Sequence, residues 1–347
     1  KSDAKKFMKE FELVWFGTDL TTGQRAQVYT TSNLMSEKKL KPYPDFKNYL
    51  SAIMNFVGSG KTNDDFNTWH ETVKTVLDGR NKKRTSKYLE TCNNLFDGNV
   101  IFKSSSTIWK SSSNNFKFTY DKEPIIVFEN MNLKCYSKND SSVLYNTKGS
   151  YYPMTSIWKG ENGRLTWERA DLEKEEVYAE INTYNISMKS AGFTADSVLF
   201  HSKYFESPIL GKVSENVLSN RGPEKVTYPS FESYDKRLEI KSLFQNVDYE
   251  GGFTIRGQKL LGAGTNEELA KVIFHYKDKE FIVSESIIFT INANNITAKK
   301  AKIKLFIDEE DSITHPGISF TYNNNNKKLG LVRGSDGISV SPYHNSY

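Results

Sequence analysis

Apolar residues recur every three or four positions over the first hundred residues and every two thereafter, so the chain changes period near Gly98. Phe7, Met8, Phe11, Val14 and Trp15 make a helical stripe behind Ser2 as N-cap, and a weaker one runs through Ala26, Tyr29 and Leu34. Pro44 and Asp45 open a third, carrying Phe46, Tyr49, Leu50, Ile53, Met54 and Val57. Proline costs little there, because a first-turn N–H has no intrahelical partner. Asn63, Asp64 and Asp65 set cap and negative charge before Phe66, Trp69, Val73, Val76 and Leu77, with Gly79 as the stop. A last stripe, Tyr88, Leu89, Cys92, Leu95 and Phe96, stops at Gly98. Residues 1–98 are therefore expected to form an all-α domain of about five short helices.

Beyond Gly98 the period is two. Phe116-Lys-Phe-Thr-Tyr120 alternates, as do Val177, Ala179 and Ile181, and later Ile303, Leu305 and Ile307. Polar clusters such as SKNDSS, KGENGR and NNNNKK punctuate these runs as tight turns do, predicting roughly fifteen to twenty strands and no long helix. The expected fold class is α+β with segregated domains: the helical domain, then an antiparallel or stacked β region, an elongated sandwich or β-solenoid-like. A first β segment spans 99–220 and a second 238–347. Between them, Arg221 to Arg237 is interrupted by Pro, Gly and charge, as a long loop, a boundary or another helix would be. Asn185–Phe200 and Asn294–Ile313 share a strand, corner, strand pattern of the kind that stacked units repeat.

Charge and composition narrow the classes. The 47 basic and 42 acidic residues are spread along the chain, whereas nucleic-acid binding concentrates charge in a stripe or tail, so no nucleic-acid partner is expected. No apolar run approaches the roughly 20 residues a membrane-crossing helix needs. Two cysteines make no disulfide framework, and Cys92 falls on an apolar helical face, where a buried thiol is the common outcome; one bridge to Cys135 is the alternative. A first residue other than Met, and an end at SPYHNSY without linker or tail character, suggest a piece of a longer chain whose second β segment continues past Tyr347.

Candidate chemistry is sparse. VGSGKT (Val57–Thr62) has Asn55 where a phosphate loop needs glycine and follows a helix instead of a strand, so it reads as a helix stop and a new N-cap. GAGTNEE reads as a turn between strands, with Thr265 and Glu268 spaced as a capping box. The five histidines lack metal-ligand spacing, and DEEDSITHPG reads as a solvated acidic loop ending in a turn at Pro316-Gly317, a cation site being the alternative. Glu168, Glu180 and Asp308 look like surface carboxylates. No catalytic residue, metal site or cofactor is expected.

The aromatics carry more information. Trp109, Tyr145, Tyr151, Tyr152, Trp158 and Trp167 gather in the first β segment, either as core and rim packing or as a platform for sugar faces or lipid chains. Residues Ser141 to Ile181, with GFTADSVLF, LLGAGTNEELAKVIF, DSITHPGISFTY and SPYHNSY, resemble the N-terminal portion of very long exported envelope proteins of Bacteroidota. That resemblance covers most of residues 95–347 and implies an extracytoplasmic location, periplasmic or at the surface of a Gram-negative cell; it brings no activity to any residue. The short strands around ISMKSAGFTADSVLF are also similar to the stacked strands of lipopolysaccharide-transport and AsmA-like proteins, whose open grooves shield acyl chains. The function expected from these readings is a non-enzymatic envelope scaffold or a lipid- or partner-binding component, with other envelope proteins, lipid or glycan as partners. The alternative is a carbohydrate-active protein working through the Trp/Tyr cluster of residues 109–167.

Overall fold

The computed structural model describes residues 2–332 except 18, 80, 219–221 and 309, with Ser2 described by its backbone only. Five helices come first: α1 (Ser2–Phe16), α2 (Thr22–Glu37), α3 (Lys47–Val57), α4 (Asn63–Asp78) and α5 (Lys82–Gly98). Ser2 is the first residue of α1 and not its cap. α4 is capped one residue earlier than expected: Thr62 Oγ1 accepts from the Asp65 N–H (3.2 Å) and the Asp65 carboxylate accepts from the Thr62 N–H (2.9 Å). This reciprocal box satisfies two donors that the first turn cannot pair internally. Gly79 ends α4 in an extended conformation, and Asn99, not Gly98, takes the left-handed turn that ends α5 (φ 55°). Asparagine tolerates that region because its short amide bonds locally.

The stripes on α4 and α5 are buried as their period requires, with Phe66, Trp69 and Leu89 inaccessible to solvent, while on the third stripe Tyr49 and Ile53 are buried and Phe46, Leu50, Met54 and Val57 are half-buried. Among the described side chains of α1 only Phe11 is buried, and Met8 is exposed. The sheet docks through the alternation in Phe116-Lys-Phe: Phe118 lies 5.7 Å from Phe96 and 6.3 Å from Tyr88, ring centre to ring centre, and Phe116 lies 5.8 Å from Phe96. Each such ring removed from water contributes about 1.5–3 kcal/mol.

Twenty-one strands follow among the described residues, and all their pairings are antiparallel where register is defined. Contacts divide the chain into two units, Lys1–Leu165 with Ile181–Thr194 and Asn216–Asn220, and Thr166–Glu180 with Ala195–Glu215 and Arg221–Tyr347. The stretch after Arg221 holds a single 3-10 turn, Pro223–Lys225, and no further helix among the described residues.

The first unit contains β1 (Val100–Lys103), β2 (Ile108–Ser111), β3 (Phe116–Asp121), β4 (Glu123–Ser137), β5 (Asp140–Tyr152), β6 (Ile157–Glu161) and β7 (Arg164–Thr166, whose last residue falls in the second unit). After β8 (Tyr178–Glu180) of the second unit comes β9 (Thr183–Ser187) of the first. β4 pairs with β3 over residues 123–128 and with β2 over 133–136, while β5 runs along its other side. β5 in turn pairs with β7 at Leu144 and Tyr145 and with β6 from Lys148 to Tyr152. Both long strands change partner at a bulge, where Asn130 (φ 37°) and Asn146 (φ 53°) take positive φ.

Next come β10 (Gly192–His201), β11 (Ile209–Asn216), β12 (Ser230–Ser233), β13 (Leu238–Phe244), β14 (Val247–Arg256) and β15 (Lys259–Ala263). The rest are β16 (Ala270–Tyr276), β17 (Lys279–Ser286), β18 (Ile288–Ile291), β19 (Asn295–Phe306), β20 (Ser312–Asn323) and β21 (Lys328–Val332). β14 pairs with β13 and β16 before Gly252, and with β12 and β15 from there on. β19 pairs with β18 through Ile296 and Thr297 and with β17 through residues 302–305. The pairings β14–β16–β17–β19–β18–β15–β14 therefore close a circuit. Phe320 fills its inside, 5.8 Å from Phe289 and 6.1 Å from Phe274. Asn185–Phe200 does form strand, corner and strand, whereas Asn294–Ile313 is one strand bent at a bulge and then a turn. The shared sequence pattern is thus not a shared structural unit.

Candidate functional site

Four of the six aromatic candidates are interior. Trp109, Tyr151, Trp158 and Trp167 are at most 2% exposed, while Tyr145 and Tyr152 are half-buried. A ring that solvent cannot reach cannot stack on a sugar, so these rings make core and rim and form no exposed row. Each Trp donor that is paired shows why it sits inside. Trp109 Nε1 donates to the Ser190 carbonyl (3.0 Å), and Trp158 Nε1 donates to the Tyr184 hydroxyl (3.2 Å). Thr147 Oγ1 donates to the Asn162 carbonyl (2.8 Å), so it accepts from Tyr184 O–H (2.5 Å), completing a buried relay. Burial pushes the Tyr184 hydroxyl up to about 12. Gly149 and Gly160 make room for these rings: a Cβ at Gly160 would collide with Tyr184, and one at Gly149 with Trp158.

The remaining motifs resolve into structure. In VGSGKT, Gly58 ends α3, Gly60 turns at φ 73° and Thr62 caps α4, while Lys61 Nζ donates to the Phe116 carbonyl (2.8 Å) over the Phe116 ring. Thr265 accepts from the Glu268 N–H (2.9 Å), but Glu268 does not complete the box; its carboxylate receives Arg237 Nε (2.7 Å). The acidic loop turns at Asp308, whose carboxylate accepts from the N–H groups of Glu310 and Asp311. Pro316 and Gly317 are not a turn; they lie within β20 as a bulge opposite Lys302. Glu168 accepts from Thr166 Oγ1 (2.8 Å), and Glu180 lies 3.3 Å from His201. Cys92 and Cys135 are both buried, and no disulfide joins them. The terminal SPYHNSY lies outside the described residues.

His70, which lacks metal-ligand spacing, sits in the helical core. Its Nδ1 faces the Phe66 carbonyl (3.1 Å), an acceptor only, so Nδ1 carries the proton and Nε2 accepts from Tyr49 O–H (2.9 Å). Burial lowers its pKa to about 3. The imidazole is neutral and structural.

An open groove of about 750 Å³ lies in the second unit. Its origin is topological. β17 and β18 diverge at Ile287 toward different segments of β19, which bulges between Ala298 and Ala301. Both alanines are buried, so Lys299 and Lys300 are left outside the ladder and exposed. The buried Ser286 hydroxyl holds the bulge by donating to the Lys300 carbonyl (2.8 Å). Ile287 (50% exposed), Ile288 (53%), Leu269 and Pro316 supply an apolar surface, and Lys299, Lys300 and Lys302 stand beside it. Lys302 is neutralised by Glu285 (3.0 Å), whereas Lys299 and Lys300 join no ion pair among the described residues. One signal for this place is in the sequence: Lys299-Lys300 is a doublet in a run, Ile296 to Leu305, that otherwise alternates.

Compared with protein families, curated proteins and solved structures, the chain has no significant match.

Proposed function

We propose that this chain is a non-enzymatic binding component of the cell envelope whose second unit holds the acyl part of an anionic amphiphile in the groove at the β19 bulge. The observation that carries this reading is the pairing of two half-exposed isoleucines with two uncompensated lysines. Apolar area removed from water is worth about 25 cal/mol per Å², which favours a chain over a compact polar ligand. The ammonium groups select the sign of its head. The envelope location rests on the resemblance of residues 95–347 to exported proteins, and a scaffold role for the rest of the chain accompanies it. The burial of Trp109, Tyr151, Trp158 and Trp167 gives the carbohydrate-active alternative less support, Tyr145 and Tyr152 alone being half-buried.

A fluorescent fatty acid titrated below its micellar concentration tests the site. Binding is expected, with Lys299→Ala/Lys300→Ala weakening it on the order of ten-fold, equivalent to about 1.4 kcal/mol. An uncharged acyl alcohol should show no such dependence. Absence of binding, or equal binding by an Ile287→Asp/Ile288→Asp variant, rejects the groove. Recovery of the native protein from the cytoplasmic fraction rejects the envelope assignment.

A further inference from the structure

A second cleft, of about 570 Å³, lies on the outer face of β11, β12 and β14 within the second unit. Register and alternation build it. Val213, Phe231 and Ile255 align across the three strands and are buried. Their neighbours must then point to the opposite face. Those neighbours align in two rows, Lys212, Glu232 and Thr254 in one and Ser214, Ser230 and Arg256 in the other. Thr227 and Tyr228, on the segment leading into β12, form a further wall. The lining is thus five hydroxyls, two cations and one carboxylate, the reverse of the apolar groove at β19.

The charges are unequally satisfied. Lys212 lies 3.7 Å from Asp196, and Glu232 accepts from Lys236 Nζ (2.9 Å). Arg256 has no ion pair among the described residues, and the residue opposite it in the β14–β15 hairpin is Lys259, likewise unpaired. Like charges placed directly opposite repel, and an anion seated there relieves the repulsion. A guanidinium presents a planar fork that fits carboxylate or phosphate through two parallel hydrogen bonds. The hydroxyls and Glu232 on the adjoining positions donate to and accept from sugar hydroxyls.

We infer that this cleft binds an acidic saccharide, with the sugar's carboxylate or phosphate on Arg256 and its hydroxyls on the Ser214, Ser230, Thr254 and Glu232 positions. The site is separate from the acyl groove and is independent of it as a claim. Calorimetric titration of the whole chain with glucuronate, glucose 6-phosphate, glucose, inorganic phosphate and a short oligogalacturonate tests it. Both acidic monosaccharides are expected to bind, glucose at least ten-fold more weakly. Arg256→Gln, an exposed substitution checked for folding by circular dichroism, should weaken the acidic sugars by ten-fold or more. Lys299→Ala/Lys300→Ala should leave them unchanged. Oligogalacturonate binding at least as tightly as glucuronate identifies the end or interior of a glycan as the source of the sugar; a preference for the monosaccharide identifies the free sugar. Inorganic phosphate binding as tightly as glucose 6-phosphate overturns the inference in favour of a plain anion site. So does undiminished binding by Arg256→Gln, or no binding of either acidic sugar at millimolar concentration.

Discussion

Both units bend long strands and switch their partners midway, yet they finish the bend in opposite ways. In the first unit, β5 changes from β7 to β6 beside Asn146, and Trp158 and Tyr184 close over Gly149 and Gly160 with every polar atom of the relay paired. In the second, β19 changes from β18 to β17 at Lys299 and Lys300, and the side chains there are charged and leave Ile287 and Ile288 half-exposed. A change of partner strand always opens a wedge. Whether it becomes core or groove depends on whether a large rigid ring, with a partner for its polar end, stands beside it.

Three measurements test that contrast, and a fourth reads the helical core of the first unit. Trp158→Ala should cost about 3–5 kcal/mol, since the neighbouring backbone can relax only partly around the void; a guanidinium denaturation curve unchanged from the parent would show that the ring does not seal the bend. Next is pH. Because the folded-state pKa of His70 is depressed to about 3 from 6.5, the unfolded chain binds the proton first. Its contribution is complete above about pH 6.5 and is lost, by about 1.4 kcal/mol per unit, as pH falls toward 3. Unfolding free energies from urea curves between pH 7 and pH 4 should therefore fall with a slope steeper by up to one proton in the parent than in His70→Gln. Thr147→Val leaves the Tyr184 O–H without its acceptor and should cost about 1–3 kcal/mol, which the same denaturation assay reads. Smallest is Ile288→Ala, expected within about 0.5–1 kcal/mol of the parent in stability while fatty-acid affinity falls several-fold. A large stability loss there would make Ile288 core and erase the difference between the two bends.

How much of this could be read from the chain alone varies by scale. The five helices and the change to strands after Gly98 were legible because a stripe of three- and four-residue spacing has only one way to be buried. Ends were less so. Thr62 and Asn99 displaced Asn63 and Gly98 as the deciding residues, since several neighbouring polar residues compete for one capping geometry. The aromatic cluster showed the limit most clearly: Trp109 and Trp158 alternate along strands equally well whether they face in or out, and only the partners Ser190 and Tyr184 put their N–H groups inside.

The cleft on β11, β12 and β14 and the groove at the β19 bulge lie further from the sequence. Lys212, Glu232 and Thr254 are separated by twenty residues or more and meet only through strand register. Ile287 and Lys300 meet only because β17 and β18 pair with different halves of one strand. Local periodicity determined which residues of this protein form helix and which form strand, because amphipathic burial is a nearest-neighbour property of the chain. Which strands pair, where they bend, and so which polar and apolar groups share a surface were decided by tertiary structure, because those choices depend on packing between residues far apart in the chain.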